Sequence, residues 1–113
     1  MKRSTGHSLL FGLLLPTLFA VLATSAARAD DASAKLYAAK CTACHGADGT
    51  GATTVGKTLK VRDFHAPEVA KETDADLTDV VAKGRNKMPA YEKSLKPEEI
   101  KGLVSYVREL SKK

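Results

Sequence analysis

The chain has 113 residues, a formal net charge of +5 and two cysteines, which fits a single domain. Three of the eighteen basic residues (Lys2, Arg3 and Arg28) and none of the thirteen acidic ones precede Asp30. From Asp30 onward the balance is 15 against 13, a net +2, so the basic footprint that a nucleic-acid-binding domain requires is missing.

The first segment reads as a leader. Lys2 and Arg3 form a short basic region, Leu9 to Ala23 is an apolar run broken by Gly12 and Pro16, and Ala27-Arg28-Ala29 supplies the small residues of a cleavage site. This pattern predicts a signal peptide over residues 1–29, cut between Ala29 and Asp30, and a mature domain over residues 30–113. The apolar run falls short of the ~20 residues that span a bilayer, and the leader has no cysteine to carry a lipid. No stable membrane anchor is expected after cleavage, and export places the domain in the periplasm or an equivalent compartment.

The remaining 84 residues (113 less 29) retain four aromatic side chains, Tyr37, Phe64, Tyr91 and Tyr106, and no tryptophan. A domain of this size buries a modest share of its surface and commonly recruits a metal, disulfides or a cofactor to complete its core.

In chain order, the alanine-rich stretch from Asp31 to Cys44 has no glycine or proline and predicts a helix. Residues 46–72 carry Gly46, Gly49, Gly51, Gly56 and Pro67, which predict an irregular loop with room for a short helical turn. At Thr73 a capping threonine stands three residues before Asp76, and Leu77, Val80 and Val81 follow at helical spacing up to a C-terminal cap at Gly84. The last segment starts a helix with Pro97 in its first turn and Glu98 and Glu99 beside it, and its apolar face is Ile100, Leu103, Val104, Val107 and Leu110. Between these two helices lies GRNKMPAYEKSL. No segment reads as a strand.

Chemistry concentrates in KCTACHG, where Cys41, Cys44 and His45 share one helical face. Zinc would lack a fourth ligand unless His65 or a carboxylate joined. A redox-active disulfide belongs on a strand-to-helix turn that this chain does not offer. A haem accounts for the whole spacing: two thiols add to its two vinyl groups, and the adjacent histidine lies under the iron. For the other axial position Met88 is the one methionine beyond the leader, in a loop stiffened by Pro89. His65 is the rival, and a polar run of Arg85, Asn86 and Lys87 argues against Met88 as a core filler.

CTACHG, the glycine-rich loop behind it, KMPAY after a helix ending at Gly84, and EEIKGLVSYV in the last helix together resemble a small class I c-type cytochrome, over about residues 32–110. The resemblance implies an all-α, cytochrome c-like fold, with three main helices and an irregular loop wrapped around one covalently attached haem c. It implies that the first and last helices cross near the haem, with Tyr106 and Leu103 meeting Tyr37 or Leu36. Many relatives carry a proline soon after the CxxCHG motif whose neighbouring carbonyl accepts a hydrogen bond from the histidine. None stands here before Pro67, and a carbonyl between Thr53 and Lys57 is the expected substitute. Arg62 and Tyr91 are candidate propionate partners.

With His45 and Met88 filling both axial positions, the expected role is a soluble one-electron carrier rather than an enzyme, working as a monomer between redox proteins. A subunit of a larger oxidoreductase, or a haem enzyme or gas sensor from which Met88 departs, is the alternative. Residues 83–96 hold Lys83, Arg85, Lys87, Lys93 and Lys96 against Glu92, whereas residues 68–82 hold Glu68, Glu72, Asp74, Asp76 and Asp79 against Lys71. The first stretch would steer the Met88 loop toward acidic partner surfaces.

Overall fold

The computed structural model describes residues 23–113, with side chains from Asp30 onward. Of the leader expected over residues 1–29, residues 1–22 lie outside the described residues. Among the described residues six helices follow one another: α1 (Ala23–Lys40), α2 (Thr42–His45), α3 (Thr54–Leu59), α4 (Pro67–Lys71), α5 (Asp74–Lys83) and α6 (Pro97–Leu110). Among the described residues the only strand-like pairing is an isolated bridge between Arg85 and Met88. Three of the helices are long, as the sequence implies, and three are short.

The expected helix over 31–44 is interrupted. α1 ends at Lys40, Cys41 takes φ −118° and ψ −32°, and α2 restarts at Thr42. The break is slight, because the Cys41 amide still donates to the Tyr37 carbonyl at 2.8 Å and the His45 amide to that of Cys41 at 2.9 Å. Propensity does not reveal it, since no residue there disfavours a helix. In the expected loop two short helices form. The Thr53 hydroxyl accepts from the Gly56 amide at 2.8 Å and so starts α3. Pro67, read from sequence as a stop, instead occupies the first turn of α4, where its missing N–H costs nothing.

α5 and α6 form as their end signals predict. Thr73 Oγ1 accepts from the Asp76 amide at 3.1 Å while the Asp76 carboxylate accepts from the Thr73 amide at 3.0 Å, a reciprocal cap. In α6 Glu99 accepts from the Lys96 amide at 2.7 Å. Of the expected apolar face, Ile100, Leu103, Val104 and Leu110 are buried, with Tyr37, Leu95, Val69 and Leu77 completing the core.

α6 packs on both α1 and α5. At the α1 crossing Gly102 lies so close to Ser33 that a Cβ there would collide with the serine hydroxyl. Farther along, the rings of Tyr37 and Tyr106 stand 5.1 Å apart and tilted by 53°, the aromatic contact expected between first and last helices. Among the described residues eight buried apolar side chains make a thin core for such a domain, and the space they leave lies beside α2.

Candidate haem cavity

A cavity of about 270 Å³ opens between the helices. Its walls are mainly apolar: Leu59, Val61 and Phe64 from the segment around and after α3, Val80 and Val81 from α5, and Leu103, Val104 and Val107 from α6. Cys41, Cys44 and His45 line the same cavity, as do Met88 and Pro89. Chain topology thus brings together the two parts of the sequence that carry ligand chemistry. His65 is absent from the lining; its ring is exposed and its Nδ1 pairs with the Asp63 carboxylate at 2.6 Å.

The Cys41–His45 segment is fixed largely through its backbone. The Tyr37 hydroxyl donates to the Gly46 carbonyl at 2.7 Å in a buried hydrogen bond. Thr53 Oγ1 donates to the carbonyls of Ala43 and Cys44 at 2.8 and 3.1 Å, and the Gly51 amide to that of His45 at 2.8 Å. Both thiols are free and half-buried. Burial pushes the Cys41 thiol up to about 11, whereas a redox-active CxxC needs a thiol with a lowered pKa. Among the described residues no three His, Cys, Asp or Glu side chains converge on a point that would hold a metal ion directly, which leaves the zinc reading without a site.

The His45 imidazole is held below its ordinary range, first by burial and then by the positive charge of Arg62, so it is kept in the neutral form that ligates metals. Its Nδ1 is buried and has no hydrogen-bond partner among the described residues. The carbonyl expected from Thr53 to Lys57 is not supplied. The Thr53 oxygen accepts from the Lys57 amide at 2.9 Å, that of Thr54 from the Thr58 hydroxyl at 3.0 Å, and that of Gly56 from the Val61 amide at 2.9 Å, because this stretch became α3. Phe64 steadies the ring instead, stacked on it with centroids 4.7 Å apart and planes 25° from parallel. Nothing in the sequence marks Phe64 for this role, since it sits in a segment without periodicity.

The Met88 loop is shaped by its backbone. Gly84 has φ +76°, and a Cβ there would meet the Met88 carbonyl oxygen at 2.5 Å. Asn86 has φ +53°, a left-handed conformation that asparagine tolerates better than most residues. The Met88 amide donates to the Arg85 carbonyl at 2.9 Å, and the Arg85 amide to that of Met88 at 3.3 Å. The candidate propionate partners both line the cavity but are engaged elsewhere: the Arg62 guanidinium with Glu72 at 3.1 and 3.2 Å, and the Tyr91 hydroxyl with the Lys40 carbonyl at 3.3 Å.

Two thiols, a neutral imidazole with an unsatisfied nitrogen and a thioether around one apolar cavity fit a covalently attached haem, which supplies a one-electron couple when bound.

Comparison with known proteins agrees with that chemistry. Residues 28–107 match the family described as Cytochrome C oxidase, cbb3-type, subunit III. Cytochrome c6 of Nostoc sp. is 35% identical over 97 residues, covering 84% of this chain and 85% of its own. Cytochrome c6 of Rippkaea orientalis is 38% identical over 102 residues, covering 88% and 87%. The solved structure of the KustC0563 c-type cytochrome is similar with a TM-score of 0.64 at 36% identity, covering 69% of this chain and 95% of its own. The chain belongs to the small class I c-type cytochromes, mono-haem electron carriers with a covalently bound haem c.

Proposed function

We propose that the mature domain, residues 30–113, is a soluble, exported, monomeric one-electron carrier with no catalytic activity of its own, working in the periplasm. Cys41 and Cys44 would hold a haem covalently through their two sulfurs. His45 and Met88 would be the two protein ligands of its iron. A ligand set that fills both positions leaves no place for substrate at the iron, and methionine ligation in an apolar pocket raises the reduction potential.

The observation that carries this reading is that one apolar cavity gathers Cys41, Cys44 and His45 with Met88, the one methionine of the mature segment. The test is optical. The ferric protein should show the weak far-red charge-transfer band of methionine ligation, and the ferrous protein should not bind carbon monoxide at neutral pH. Ready carbon monoxide binding would replace the carrier with a sensor or an enzyme.

Partners are redox proteins with acidic docking surfaces. Arg85 is paired with Glu72 at 2.9 Å and Lys83 with Asp79 at 3.0 Å, but Lys87, Lys93 and Lys96 are exposed and enter no ion pair among the described residues. Of these three Lys87 lines the cavity with Met88, and association with an acidic partner should slow as salt is raised. A second reading is favoured by the family matched by residues 28–107, whose description names an oxidase subunit: the chain would then serve as the electron-transfer subunit of a larger oxidoreductase. Co-purification of a stoichiometric complex from the native source would select it.

A further inference from the structure

Among the described residues, the tip of the Met88 loop makes one hydrogen bond to the rest of the molecule. Its upstream base is pinned by the Gly84 amide on the Val80 carbonyl at 2.9 Å, and its downstream base by the Tyr91 and Glu92 amides on the Ala82 carbonyl at 3.1 and 3.0 Å. Residues 85–88 bond to each other through Arg85 and Met88. Among the described residues, the single hydrogen bond that leaves this tip runs from Arg85 Nη1 to Glu72 Oε1 at 2.9 Å.

Glu72 is well placed to bear that tie. Its side chain is 19% exposed, and its carboxylate also takes both Arg62 nitrogens, at 3.1 and 3.2 Å. The Arg62 hydrogen bonds lead in holding the carboxyl below its ordinary range, with Arg85 adding to them. The Glu72 main chain is anchored separately: Arg108 of α6 donates to the Glu72 carbonyl, to the Val69 carbonyl at 3.3 Å and to the Asp74 carboxylate at 2.9 Å. A lone exposed ion pair contributes little, but a carboxylate that is bidentate with one guanidinium, joined to a second and fixed at its backbone is a stronger arrangement. Because Arg85 and Met88 are joined by reciprocal main-chain hydrogen bonds, what holds Arg85 holds Met88.

We propose that Glu72 is a positioning residue for the distal ligand: shared between Arg62 and Arg85, its carboxylate clasps the Met88 loop against the 60–72 segment and sets how often Met88 swings out of the cavity. The proposal rests on the reading of Met88 as an axial ligand. An external ligand reaches the iron only in the open state, so its apparent affinity scales with the open population. Opening the clasp therefore raises affinity for an added ligand without changing that ligand's intrinsic bond to the iron.

The experiment titrates imidazole into the ferric holoprotein and follows loss of the far-red methionine band. Glu72→Gln should keep the band in the absence of imidazole and bind imidazole about tenfold more tightly than wild type. Arg85→Gln should reproduce this, Arg62→Gln should do so more weakly, and Glu72→Gln combined with Arg85→Gln should add little to either alone. Gly102→Ala is the control for general loosening, because it disturbs the α1–α6 crossing and not the loop; it should lower the thermal midpoint and leave imidazole affinity unchanged. A Glu72→Gln protein with wild-type imidazole affinity and an intact band overturns the clasp alone. Equal tightening in Gly102→Ala overturns it as well, by showing that any destabilisation suffices. A wild-type protein without the far-red band overturns the Met88 reading and the clasp with it.

Discussion

The Cys41–His45 segment is tied down by main-chain groups and buried contacts: the Tyr37 hydroxyl on the Gly46 carbonyl, Thr53 on the Ala43 and Cys44 carbonyls, and Phe64 stacked on His45. The Arg85–Met88 tip, by contrast, reaches the body of the protein through one charged side-chain tie, and depends internally on two residues with positive φ, Gly84 and Asn86. Both segments face the same cavity, yet one is held by short-range neutral contacts and the other by a guanidinium–carboxylate pair at the rim. Salt screens the second kind and hardly touches the first. With the proposed His45 and Met88 ligation, a carrier built this way would keep its cofactor and one ligand rigid while the other ligand alone could be set free.

The largest effect on the first side is loss of attachment. Cys41→Ser with Cys44→Ser should leave no haem on the protein after extraction with acidified acetone, where wild type stays coloured; retained colour would mean that the thiols do not carry the group. On the other side, Gly84→Ala forces a Cβ onto the Met88 carbonyl at a positive φ, which should lower stability by about 3 kcal/mol in denaturant titration. The methionine band should fade before the fold is lost. Tyr37→Phe should cost about 1 kcal/mol by removing the buried hydrogen bond to the Gly46 carbonyl, which keeps the Gly49 amide at 3.2 Å. That variant should keep its methionine band up to the unfolding transition, and an early loss would show that the two sides are coupled.

The smallest effect concerns His65, outside the cavity, whose imidazole is raised above its ordinary value chiefly by the hydrogen bond to Asp63. A raised folded pKa gives stability that is complete below the ordinary imidazole range and lost as pH rises through the raised value. The unfolding midpoint of wild type should therefore fall relative to that of His65→Gln as pH rises across that window, with ligation spectra identical throughout.

What the sequence revealed of this molecule follows from how local each signal is. Thr73 with Asp76, Pro97 with Glu99, and the spacing of Ile100, Leu103, Val104 and Leu110 act within a turn or two, and α5 and α6 stand where those signals put them. KCTACHG and Met88 were equally plain, because the chemistry lies in residue type and spacing, and both line the cavity. The loop over 46–72 hid more. α3 depends on Thr53 reaching back to α2, and its formation is what removes the carbonyls expected for His45. Phe64 and Glu72 act on residues 19 and 13 positions away, His45 and Arg85, and no periodicity records contacts of that range.

The crossing of Gly102 on Ser33 also shapes how the chain can change in length. It joins positions 69 residues apart, so everything from the first cysteine to the last loop lies inside one closed ring of chain. The entropy of closing a ring rises only with the logarithm of its length, about 0.6 kcal/mol for each doubling. Residues added within the ring at positions that touch nothing else should therefore cost little in closure entropy, while one methyl group added where the two helices touch through a glycine acts on the closure itself.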